Sequence, residues 1–382
     1  MKKDEYGVEF SNSGRILYKI PCDLEGEYVV PDGVIEIKEN ALNVRGGKFP
    51  KLSSLRISKS VVKIGKYDYG YRQLDSISVD EDNPVFDSRD NCKAIIETKS
   101  GRLIVACKHS SIPEGVKVID WQAFDKSYAE SKIFIPASLE EIEDFVCGSL
   151  SYIEVDAANK FFDSRDNCNA IIETKSNKLM YGSSHTIIPY GVETIGIRAF
   201  SYCKGIKKLV IPDSVYFIDS NAFGYAEIDE LYIPKSVEQI SPGAFDSNKI
   251  QKIVIDKDNP YYYEKGNCVI SRNTSRLKGV GLNFEIPNEV KIISSVSLHL
   301  SDMDTLVIPD GVEEIVGDSI LVGSADNAKL KLILPSSVKV FWEQWLTDDE
   351  IGEIVVPKGQ KERFSRMKGL IKFKHLIVEA DE

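Results

Sequence analysis

The sequence is poor in the residues and runs from which most sites are built. No apolar stretch approaches the roughly 18 residues of a membrane span, and behind the two lysines of residues 1–10 there is no apolar run of roughly 7–15 residues of the kind a secretory leader carries. As written the chain is expected in the cytoplasm, with no insertion into a membrane; a leader upstream would instead place it at the cell surface or outside the cell. The seven cysteines (Cys22, Cys92, Cys107, Cys147, Cys168, Cys203, Cys268) are odd in number and form no C-x-x-C pair, which excludes a disulfide framework and a zinc knuckle. Only four histidines are present, His109, His185, His299 and His375, and they do not cluster, so neither a metal nor any other cofactor is expected. There is no G-x-S-x-G, no H-E-x-x-H and no phosphate-binding glycine loop; Gly279-x-Gly281 lacks the third glycine and the strand–helix setting of a nucleotide fingerprint. Pairs such as Glu140-Glu141 and Glu313-Glu314 fall between apolar positions, where solvated charge is the ordinary reading, and Asn273-Thr274-Ser275 matters only in a glycosylating compartment. The chain is therefore not expected to be an enzyme. With 59 acidic against 48 basic residues the formal charge is −11, a surface that repels polyphosphate and excludes nucleic acid as a partner.

What is present is repetition. A length of 382 residues would ordinarily suggest two or three domains, each around its own core, but a repeat array escapes that arithmetic. An apolar residue followed by proline recurs at Pro31, Pro113, Pro136, Pro189, Pro212, Pro234, Pro287, Pro309, Pro335 and Pro357, with Ser58 standing in once. Neighbouring prolines are commonly 22 or 23 residues apart, and three longer gaps of 53 to 55 interrupt the series. Three and one residues before the proline come pairs such as Leu209 and Ile211, or Leu231 and Ile233. A spacing of two is strand spacing, and proline, having no N–H to donate, ends the pairing. Three and six residues after it come Val192 and Ile195, Val215 and Ile218, Val237 and Ile240; ten and eleven after it come Ala199-Phe200, Ala222-Phe223 and Ala244-Phe245.

One unit of 23 residues thus has about six apolar side chains, worth on the order of 10 kcal/mol gross at roughly 1.5–3 kcal/mol each. Ordering its backbone costs about 1–2 kcal/mol per residue, which is more. An isolated unit should not fold; stacked units, sharing ladders of equivalent residues and inter-unit hydrogen bonds, should.

The longer gaps hold a second module, opened by Val79-Asp80, Val155-Asp156 and Ile255-Asp256. FDSRDNCKAIIETKSGRL (86–103) and FDSRDNCNAIIETKSNKL (162–179) are nearly identical, YYYEKGNCVISRNTSRL (261–277) is a weaker copy, and Ser13-Gly14-Arg15-Ile16 is a fragment of the same pattern. The turn chemistry of Asp-Asn and Ser-Gly predicts a hairpin-like excursion: extended at Ala94–Glu97, turning at 99–101, extended again at 103–106. Cys92, Cys168 and Cys268 occupy equivalent places in these modules, one per module, and read as buried small residues rather than a thiol or metal site. His109 and His185 each lie four residues before a repeat proline and are equivalent in the same way.

These units resemble the BspA-type bacterial leucine-rich repeat, L-x-x-I-x-I-P-x-S-V-x-x-I-G-x-x-A-F, best matched at 209–223 and 231–245, and the resemblance runs from about residue 8 to the end. It implies a β-rich repeat solenoid of the leucine-rich-repeat type, with stacked short parallel strands, few short helical turns and a C-terminal cap. The expected organisation is an N-terminal cap and partial module (1–30), a solenoid (31–356) with long modules at about 79–110, 155–186 and 255–284, and a C-terminal cap (357–382). A helix at 359–368, with Phe364 and Met367 on one face, and a strand at 372–378 should close the array. Trp345 replaces the usual small alanine, which should distort its unit.

For function the resemblance implies adhesion or protein binding. The residues two before each proline point away from the core, and they are most continuously apolar from Phe134 through Ile187 and Val210 to Tyr232, with Lys132 and Lys208 alongside. That face is the candidate binding site for a protein or a surface glycan. The alternative is a structural spacer with no ligand of its own, the apolar residues being there because β-branched side chains suit strand faces. No feature of the sequence specifies an oligomeric state.

Overall fold

The computed structural model describes residues 1–42, 49–65, 70–120, 123–124, 132–143, 150–294, 298–299, 303–317, 321–322, 329–343 and 351–381. Two compact units contain them: residues 1–175 with 183–185, and 176–182 with 186–382. Each is a β-solenoid of the leucine-rich-repeat type, in which a coil contributes one strand to a long-strand sheet and one to a short-strand sheet.

In the first unit Glu25–Val29, Lys51–Ile57 and Ser76–Val79 form a parallel long-strand sheet, and Lys132–Ile135 pairs in parallel with Tyr152–Val155. The short strands put ladder residues in register, Leu17 with Ile37 and Ile64, then Leu103 with Ile119 and Ile142. In the second unit Ile206–Val210, Glu227–Ile233 and Lys249–Ile255 make a three-stranded parallel sheet. Its short strands Thr194–Ile195, Phe217–Ile218 and Gln239–Ile240 stack in parallel, and Arg276–Val280, Ile292–Ser294, Glu314–Gly317 and Val340–Glu343 do so further along.

The proline frame has a plain structural basis. The residue three after each proline returns its N–H to the proline carbonyl, as Val192 does to Pro189 at 3.3 Å and Val215 to Pro212 at 3.0 Å, so proline both stops the strand and starts the turn. The serine two after it crosses to the preceding coil: Ser138 Oγ donates to the Val116 carbonyl, Ser214 Oγ to Val192 and Ser236 Oγ to Val215, at 2.8, 2.8 and 2.7 Å. Inside, Leu209, Leu231 and Ile253 form one buried ladder, Ile195, Ile218 and Ile240 another. Phe200, Phe223 and Phe245 stack with ring centroids 5.9 and 5.5 Å apart, so each ring's burial is completed by the coil on either side.

The hairpin expected at 94–106 is there, with Ala94–Glu97 antiparallel to Arg102–Ala106, and it carries a third strand, Phe86–Asp87, on its outer edge. Gly101 turns with φ +67, and a Cβ there would lie 2.7 Å from the Gly115 carbonyl oxygen, so only glycine fits. The same three-stranded arrangement recurs at Tyr262–Lys265, Cys268–Ser271 and Arg276–Val280, and again at Lys2–Lys3, Glu9–Phe10 and Ile16–Lys19, where the sequence showed only a fragment. Each internal module is clamped to the coil before it by one asparagine. Asn259 Nδ2 donates to the Pro234 and Val237 carbonyls (2.8 and 3.2 Å) while its Oδ1 accepts the N–H groups of Tyr261 and Tyr262 (both 2.8 Å); Asn83 and Asn159 make the equivalent bonds.

At the C-terminus two expectations need correcting. The helix is a single short turn, Lys361–Ser365, rather than 359–368, and the strand begins only at Ile377. The intervening Ile371–Leu376 is 3-10 helix. Leu370 and Phe373, three apart and both buried, explain it, because a three-residue repeat brings both onto one face where an extended chain would not. Phe364, Phe373 and Ile377 join the core of the second unit, with Met367 packed against it. Trp345 lies outside the described residues.

Candidate functional site

The sequence-based candidates do not share one continuous ladder. Phe134 and Lys132 are on a strand of the first unit; Val210, Tyr232 and Lys208 are on the long-strand sheet of the second. Ile187 is in no strand. The physical reason is where the chain comes from: in coils that follow a long module, only a few residues separate the module's last strand (ending at Ala106, Gly182 or Val280) from the proline. Ser111, Ile187 and Glu285 therefore arrive at their prolines without joining a ladder. Ile187 nonetheless stands 78% exposed, beside an equally bare Tyr190 that the repeat frame did not single out.

The second unit does bring Val210 and Tyr232 together. They are partners in register, and Val254 completes the row on the third strand. Beside it runs a parallel charged row, Lys208, Glu230 and Lys252. Glu230 takes both lysines, at 2.8 and 3.0 Å, and those hydrogen bonds hold its carboxyl below the usual range. Tyr232 donates its hydroxyl to Asp256 at 2.8 Å, and chiefly this bond pushes its own pKa up to about 12. Lys132 likewise pairs with Glu154 at 2.8 Å. Neither candidate lysine is thus a free cation, although exposed pairs of this kind are worth only about 0–1 kcal/mol and reopen readily to a partner. The result is an apolar strip, Val210–Tyr232–Val254, flanked by a row in which one glutamate pairs with two lysines. Such a surface offers shape and apolar contact, and its acidic and basic side chains are paired with one another.

The other groups weighed from the sequence behave as packing. Cys92, Cys168, Cys203 and Cys268 are buried, and desolvation pushes their thiols up, to about 11 for Cys92 and about 12 for Cys203 and Cys268; they stay protonated and unreactive. His185 stacks on Tyr152 with centroids 5.4 Å apart. Among the described residues no three His, Cys, Asp or Glu side chains are grouped as metal ligands, and no helix is long and apolar enough to cross a membrane. Cys147 falls outside the described residues.

The stacked parallel strands, two per coil, define a leucine-rich-repeat solenoid. Residues 103–181 and 171–266 match the BspA type leucine rich repeat region, in six copies, and the repeats within those residues are of that type. No curated protein matches. Solved structures similar to the chain include a leucine-rich repeat protein from Eubacterium ventriosum (15% identity, TM-score 0.39, covering 87% of this chain and 80% of that one). A leucine rich cell surface protein from Faecalibacterium prausnitzii is 16% identical, with TM-score 0.35 and coverage of 95% and 96%. The pneumococcal vaccine antigen PcpA is 13% identical, with TM-score 0.24 and coverage of 100% and 97%.

Proposed function

We propose that the protein is a non-catalytic binding module that recognises another protein through the long-strand sheet of its second unit. The observation that carries this reading is the row Val210–Tyr232–Val254, an apolar strip at the surface of a parallel sheet with its neighbouring charges already paired. Solvent gains nothing from such a row, whereas a partner that covers it removes apolar area from water at roughly 25 cal/mol per Å². The aromatic ring of Tyr232, held by its bond to Asp256, supplies the kind of rigid anchor on which interfaces concentrate their energy.

The test is Val210→Glu. Val210 is 47% exposed, so the substitution should move stability by no more than about 0.5 kcal/mol. It should weaken saturable binding to a panel of purified bacterial and host surface proteins by about tenfold or more, since a carboxylate would be buried without a partner. Binding equal to that of the parent chain would show that the face is wrong, and a parent chain with no saturable partner in the panel would favour the structural spacer.

A further inference from the structure

A second surface of the same unit carries different chemistry. The long modules place a basic residue just before the ladder leucine: Arg102 before Leu103, Lys178 before Leu179, Arg276 before Leu277. In the first two cases following coils supply carboxylates, each directly after a ladder isoleucine. Arg102 meets Asp120 at 3.4 Å and Glu143 at 2.6 Å, and Lys178 meets Asp219 at 3.9 Å. In the third module the corresponding places hold Ser294, Val316 and Trp342, which are in register across three strands. Arg276 donates to Ser294 Oγ at 3.1 Å and has no carboxylate partner among the described residues.

A second departure adds to the first. The residue after the ladder leucine is Ile104 and Met180 in the other modules but Lys278 here. Its ammonium donates to the Ile240 carbonyl at 3.1 Å and likewise has no carboxylate partner among the described residues. Burial, and then the neighbouring Arg276, pull its pKa below the ordinary lysine value, the behaviour of a cation half-buried beside another. These two side chains, with Ser294, Val316, Gly317, Trp342 and Pro242, line a cavity of about 330 Å³. The Lys368 ammonium lies 4.2 Å from the Trp342 ring centre. The cavity is at the small end of ligand pockets, which run from roughly 300 to 1,000 Å³. It takes one ring-sized molecule, too little for a folded epitope.

We propose that this cavity binds the carboxylate of an acidic sugar residue of the hexuronate type. The planar guanidinium of Arg276 matches a carboxylate, the ammonium of Lys278 supplies the second charge-assisted bond, and the Ser294 hydroxyl is free to donate onward. Trp342 and Pro242 form the apolar wall against which a ring's C–H face packs. The assignment is independent of the protein-binding face, which is on the other sheet.

Titration calorimetry of the full chain with glucuronate, glucose and inorganic phosphate tests it. Glucuronate should bind saturably, with glucose and phosphate each about tenfold weaker or more, the loss expected when a charge-assisted bond or the ring contact is missing. Lys278→Met, which installs the residue the second module already carries, should weaken glucuronate about tenfold while leaving the melting temperature unchanged or raised. Val210→Glu should bind glucuronate as the parent does. The proposal is overturned by absence of saturable glucuronate binding, by equal affinity in Lys278→Met, or by phosphate binding as tightly as glucuronate, which would mark a bare anion site.

Discussion

The long module of the first unit and that of the second are built alike and finished differently. Residues 86–106 and 262–280 each form three antiparallel strands, each is clamped by an asparagine to the coil before it, and each feeds a parallel short strand after it. Around 86–106 the exposed chemistry is closed, with Arg102 satisfied by Asp120 and Glu143. Around 262–280 it is open, because the same places hold serine, valine and tryptophan and an extra lysine has entered. The difference teaches that the interior positions specify the solenoid while those one residue further on are free to vary. Recognition can be written into the second set without rebuilding the first.

The sharpest way to break the likeness is at the clamp. Asn259→Ala would remove four hydrogen bonds from a site only 2% exposed, those to the Val237 carbonyl and the Tyr261 and Tyr262 N–H groups and one of the two at the Pro234 carbonyl, which keeps the Val237 N–H. A loss of about 3 kcal/mol in urea-induced unfolding is expected, and a loss under about 1 kcal/mol would mean the clamp is ornamental. The next largest effect separates the two modules. Arg102→Met removes the ion pairs to Glu143 and to Asp120, whose side chain is 7% exposed, and should cost about 2 kcal/mol, reduced from a fully buried pair because Arg102 is partly solvated. Arg276→Met strands no carboxylate among the described residues and should cost under about 0.5 kcal/mol. Equal costs would contradict the distinction between a closed and an open module.

Much of the interior was legible in the sequence because it is periodic. Proline positions, the Leu209/Ile211 and Val215/Ile218 pairs and the Ala-Phe ladder each recur in register, and a repeated apolar side chain has one economical explanation. The hairpin at 94–106 was legible from its turn residues. The features that were not legible depend on pairing across coils. The serine and asparagine bonds to preceding coils join residues 20 to 25 apart, and nothing in a single unit announces them, although serine two after proline and asparagine three after the module's aspartate recur for anyone who looks. The C-terminal cap differs from the expectation because the burial of both Leu370 and Phe373, which selects a three-residue repeat over an extended chain, is visible only in the packed structure. The candidate face was read as continuous because the frame treats every pre-proline residue alike, whereas Ile187 follows a module that uses up its strand. Arg276 and Lys278 passed unnoticed because their interest lies in having no carboxylate partner among the described residues, visible only by comparison with Arg102 and Lys178.

The account rests on coils completing one another's interior, and the Phe200–Phe223–Phe245 stack is where that is most exposed to test. Phe223 is fully buried between the other two rings, and its N–H bonds the Ala244 carbonyl while Phe200 bonds that of Ala222. Phe223→Ala should cost about 3–5 kcal/mol, and amide hydrogen exchange under native conditions should show where the loss goes. Faster exchange is expected on both sides, at 192–200 and at 237–245, as well as within the substituted coil. Faster exchange confined to 215–226, with both neighbours as protected as before, would contradict a shared interior.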